Sequence, residues 1–120
     1  MAVKKYTATK DNTITNAFGE VFDTRLTGTN AGLADVVEVF SIFGQTNASA
    51  SQNENSRVLI EFPVSTISSE ITDGTIESGS NFVLRLFSTE QPVTPPKEFT
   101  VVIAAISRSW SEGTGPDLAN

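Results

Sequence analysis

Cysteine and histidine are both absent from this chain. Without cysteine there are no disulfides and no thiolate metal ligands. Without histidine the commonest general base and the usual transition-metal ligand are missing, so Ser-His-Asp and Cys-His chemistry cannot be built. A carboxylate pair could still do glycosidase-type work, but no stretch carries a catalytic signature, and the expectation is a protein that is not an enzyme. Tryptophan and tyrosine occur once each, which leaves little for stacking on a ligand. There is no apolar run of transmembrane length, and the opening MAVKKYTATK turns polar at once. Synthesis in the cytoplasm without membrane insertion is therefore expected.

Positive charge is scarce beyond the first decade. Lys4, Lys5 and Lys10 stand there without an acid, whereas residues 11–120 carry fourteen acids against five basic side chains, a net of −9. Such a body repels nucleic acid, and none is expected as a partner.

What the chain does have is β-forming sequence. The 120 residues are 38% hydrophobic with eight phenylalanines, enough for one modest domain. The stretch 56–67, SRVLIEFPVSTI, holds the clearest strand: Val58, Ile60 and Phe62 lie on one face and Arg57, Leu59 and Glu61 on the other, and Pro63 ends it. Further strands are predicted over 4–9, 33–43 (stopped by Gly44, with a helix as the competing reading because Leu33, Val36, Val37 and Phe40 satisfy its spacing), 82–87 and 99–110. The polar run 44–56 predicts a mobile surface loop. A short helix is predicted near residues 66–73, with Ile67 and Ile71 on one face, Glu70 in its first turn and Asp73-Gly74 at its end. Pro92, Pro95 and Pro96 make the connection before the last strand stiff.

This pattern predicts an all-β fold, an antiparallel β-sandwich of jelly-roll type. The domain would span 11–120 behind a basic arm or edge strand at 1–10. In VVEVFSIF, VLIEF, FVLRLF and VVIAAI apolar residues occupy both faces, although a two-layer sandwich in water covers only one face of each sheet. Either loops cover the second face or another copy of the protein does.

Several short motifs resemble those of the DNRLRE-type domain and come in its order. Asp11-Asn12-Thr13-Ile14 stands at its opening strand, and Asn30-Ala31-Gly32 at its turn before a strand. Ser56, Arg57, Leu59 and Phe62 match its Ser-Arg-x-Leu-x-x-Phe strand, and Leu84, Arg85 and Leu86 its Leu-Arg-Leu strand. Trp110, Glu112 and Gly113 match its closing Trp-x-Glu-Gly. The resemblance covers roughly residues 11–115 and implies a jelly-roll β-sandwich. The family includes carbohydrate-binding modules and structural proteins of marine tailed phages, and ITDGTIESG before a Pro-rich hairpin is closer to the phage branch. What it implies is a structural or decoration subunit of a virion, made in the host cytoplasm, with copies of itself or other virion proteins as partners. The alternative is an extracellular carbohydrate-binding module for a cell-surface glycan. The family runs on past Trp-x-Glu-Gly to further strands, and this chain stops seven residues after Gly113. A missing strand would leave an open edge for a neighbouring copy or partner segment to complete.

No cofactor is expected. Asp11, Asp23, Asp35, Glu38, Glu61, Glu112 and Asp117 are oxygen donors in principle, and a structural calcium gathered from distant loops is conceivable, but no stretch has the spacing of a calcium loop. Trp110 is expected in the core. Arg57, Arg85 and Arg108 are expected to lay their stems over apolar surface and pair with Glu61 or Glu38.

Overall fold

In the computed structural model, residues 3–19, 24–28, 30–47, 50–90 and 98–116 are described. One antiparallel sheet of three strands and one short helix make up its regular structure: β1 (Lys10–Thr15), β2 (Ser41–Asn47), β3 (Ala50–Glu61) and α1 (Val64–Thr72). The sheet order is β1-β3-β2, with the twelve-residue β3 in the centre. The chain is thus all-β in its main architecture, with the expected helix.

β3 contains the strand predicted from SRVLIEF and ends at Glu61, ahead of Pro63. Its register against β1 places Thr13 opposite Val58, Asn12 opposite Leu59 and Ile14 opposite Arg57. Lys10 lies opposite Glu61, and the two form an ion pair at 3.0 Å across the strands. Four expectations along this part of the chain need correction. The first strand is Lys10–Thr15, and residues 4–8 form none. Residues 33–40 are turns, bends and unladdered chain, and the strand begins only at Ser41. The reason is local: the Glu38 amide donates to Thr13 Oγ1 at 2.9 Å, and Ser56 Oγ accepts from the Phe40 amide and donates to the Glu38 carbonyl, both at 2.7 Å. Side-chain hydroxyls there occupy the backbone groups that a ladder would use.

The third correction concerns the polar run 44–56, which is no loop. It forms most of the β2–β3 hairpin, with Phe43 opposite Asn53 and Gly44 opposite Gln52, and a register shift between Gln45 and Asn47. Ladder hydrogen bonds are made by backbone, so polar residues pair as well as aliphatics. Gly44, read as a stop, sits inside the ladder. The fourth correction concerns 82–87 and 99–110, predicted as strands. Both are without ladder pairing, because a strand needs a partner and these have none among the described residues.

α1 follows Pro63 and begins two residues earlier than expected. It closes as predicted, with Asp73 at its C-cap and Gly74 at φ 80°, where glycine avoids the penalty of a side chain. Asp73 Oδ1 accepts from the Thr75 amide at 2.9 Å. Glu70 does not act in the first turn. It points to the N-terminal arm, accepting from the Tyr6 hydroxyl and pairing with Lys4 Nζ at 2.6 Å. The basic arm is held there by three side chains, Lys4, Tyr6 and Glu70. No helix among the described residues is long and apolar enough to cross a membrane.

Candidate functional site

Two features stand apart from the ladder: a polar junction at the β1 edge and an array of unpartnered apolar segments. The junction comes from backbone parity. Asn16 N–H bonds to the Asn55 carbonyl, so the even-numbered residues of β1 address β3 and the odd ones point outward. The outward Asp11 amide is taken by Glu112 Oε1 at 2.9 Å, and the Asn12 side-chain amide donates to the Glu112 carbonyl at 2.6 Å. Asn30 Oδ1 accepts from the amides of Gly115 at 2.6 Å and Gly32 at 3.3 Å. A Cβ on Gly32 would lie 2.6 Å from the Glu112 carbonyl carbon, and Gly113 has φ 87°. Glycine is needed at 32 for close approach and at 113 for a left-handed backbone.

Residues a hundred positions apart in sequence therefore meet: Asp11, Asn12, Asn30, Gly32, Glu112 and Gly113. Trp110 is near them, half-buried, with Lys10 Nζ 5.7 Å from its ring centroid. Of the remaining landmark positions, Ser56 is buried as the bridge described above. Leu59 and Phe62 are half-buried, and Arg57 is exposed. Leu84, Arg85 and Leu86 are exposed and join no sheet. The expected arginine pairs do not form among the described residues: Glu61 pairs with Lys10 instead, and Arg85 and Arg108 are exposed and belong to no strand.

Asn12, 4% exposed, keeps its Oδ1 without a partner among the described residues, as does Thr15 Oγ1. Both residues border an open cleft of about 210 Å³ lined also by Thr13, Arg25, Thr27 and Asn30. No aromatic side chain lines it. Among the described residues no three carboxylates gather at one point; Asp23 and Asp117 lie outside them, as do Pro92, Pro95 and Pro96.

The second feature is larger. Residues 81–90 and 98–111 make no backbone–backbone hydrogen bond among the described residues. Apart from the half-buried Trp110, their large apolar side chains face water, from Leu84 at 40% to Phe87 at 90% exposed. The core is correspondingly small, with Ala17 and Ile76 the buried apolar residues among those described. The chain exposes 10158 Å², where a compact monomer of 12.8 kDa would expose about 6,300 Å². Its radius of gyration is 18.3 Å, against about 14 Å for a compact domain of this length.

The sequence reading missed three details. Asn12 lay within a recognised motif without a role assigned to it, and the Ser56 bridge could be foreseen only from the register. The contact of Tyr6 and Lys4 with Glu70 spans more than sixty residues and had no local signal. No protein-family model, curated protein or solved structure matches this chain.

Proposed function

We propose that this protein is a non-enzymatic structural or decoration subunit of a tailed-phage virion, working through strand-mediated self-assembly or docking. One observation carries the reading: residues 81–90 and 98–111 are rich in β-forming apolar residues, apolar on both faces, and unpaired within the described chain. The excess exposed area, on the order of 3,900 Å², is well above the ~800 Å² that each partner gives to a standard stable interface. Water is a poor neighbour for the large aliphatic and phenylalanine side chains of these two segments, which are 40–90% exposed, and large exposed apolar surface marks interaction sites. In the assembled particle the sheet and the two apolar segments become layers of a jelly-roll sandwich, with a neighbour supplying the missing cover. The virion setting rests on the resemblance to the phage branch of DNRLRE-type domains; the convergence of Asp11, Asn30, Gly32, Glu112 and Gly113 supports a structural role for those landmarks.

The test is the mass and morphology of the purified protein, by sedimentation velocity and negative-stain microscopy. Oligomers of defined mass, rings or filaments are expected. A monodisperse monomer that holds its apolar segments in solution would overturn the proposal and turn attention to glycan binding as a module.

A further inference from the structure

The two free edges of the sheet are not equivalent. On β1, the outward Asp11 amide is already taken by the Glu112 carboxylate, and the 30–32 and 112–115 segments crowd the same end. On β2, the Ser56 amide bonds to the Phe40 carbonyl, so even-numbered residues face β3 and the N–H and C=O groups of Ser41 and Phe43 point outward. Among the described residues nothing pairs with them. The edge is flanked by apolar surface, since Val39, Ile42 and Phe43 are each more than half exposed. An unblunted edge of this kind is a template for another strand.

The two unpartnered segments also differ. FVLRLF carries Arg85 in its middle, whereas FTVVIAAI, residues 99–106, has no charge at all. It is eight residues long against the seven of β2, and five of the eight are β-branched. The segment itself brings no charge to the edge.

From this asymmetry we propose that the outer edge of β2 accepts residues 99–106 of a second copy of this chain as an added strand. The inference rests on the self-assembly reading and gives it a donor and an acceptor. The occupant is a second copy because the same molecule that carries the open edge carries, at 99–106, an unpaired segment of β-forming sequence matching it in length. It also exposes thousands of Å² beyond the compact expectation, far more than a stable contact with a copy requires. Donor and acceptor are different surfaces, so the contact is heterologous. Copies joined this way build rings or filaments unless two molecules exchange strands reciprocally.

The cysteine-free chain allows a direct test. Phe43→Cys protein is mixed with a series of single variants carrying cysteine at each position from 99 to 106, oxidised, and scored for the mixed disulfide. Disulfide geometry admits only facing positions, so yields that alternate along the series with a period of two are expected. In parallel, Phe43→Lys on the edge strand and Ile103→Lys in the middle of the added segment should each weaken association by about tenfold or more, because a charged side chain on an edge strand opposes its pairing with another strand. Association of both lysine variants at the wild-type level, or an assembled wild type with no crosslink from position 43 to any of the eight, would overturn this inference and leave the structural-subunit reading standing. A monomeric wild type would remove both.

Discussion

Ser56 offers the sharpest test of how the centre of the sheet is held. Its Oγ accepts from the Phe40 amide and donates to the Glu38 carbonyl, each at 2.7 Å, and the residue is 8% exposed. Ser56→Ala removes one oxygen and leaves two backbone groups without partners. An unmet buried polar group costs about 1–3 kcal/mol. Phe40 is half-buried while Glu38 is exposed, so the Glu38 carbonyl recovers a water and only the Phe40 amide bears the full penalty. The expected loss is about 1–2 kcal/mol, a fall of roughly 5 °C or more in Tm for a domain of this size. Urea unfolding at fixed protein concentration, with amide exchange at Phe40, measures it. Exchange at that amide should quicken by about tenfold, since 1.4 kcal/mol is one decade. Ser69→Ala is the control: that hydroxyl donates to the Ser65 carbonyl on the exposed side of α1, and its loss should stay within about 0.5 kcal/mol. If both variants melted together and the Phe40 amide stayed as protected as before, the hydroxyl bridge would not be what holds this corner.

The β1 junction and the arm contact give two more predictions. Glu112→Ala deprives the Asp11 amide of its acceptor and should cost about 1–2 kcal/mol, whereas Glu112→Gln keeps an acceptor oxygen and should recover more than half of that in urea melts. On α1, the hydrogen bond from Lys4 and then that from Tyr6 hold the Glu70 carboxyl below its ordinary value of 4.5. A lowered folded pKa means that the contribution is present above 4.5 and lost as the pH falls through the folded value. Wild type should therefore lose stability more steeply than Glu70→Gln below about pH 4.5. Added salt should shrink the difference, because the pair is partly exposed. Parallel acid limbs for the two proteins would contradict the contact.

The central strand and the helix stop were legible because their causes are local. Val58, Ile60 and Phe62 repeat at two, Pro63 lacks an N–H, and Asp73-Gly74 ends a turn wherever it stands. The β2–β3 hairpin was not legible, because periodicity records side-chain burial and this ladder is built by backbone along a largely polar stretch of sequence. Residues 33–40 failed as a strand for the opposite reason: their apolar pattern is right, but Thr13 and Ser56 reach their amides first. Asp11, Asn30, Gly32, Glu112 and Gly113 could be singled out as landmarks from sequence motifs, yet their meeting depends on loops closing over a hundred residues. The sequence by itself determined a cysteine-free, histidine-free, acidic β-rich chain with more apolar strand than one sheet can cover, since composition and period are properties of each segment alone. Only the tertiary structure decided which edge is closed by Glu112, and which edge and apolar segments stay unpaired among the described residues, because pairing is a relation between distant segments.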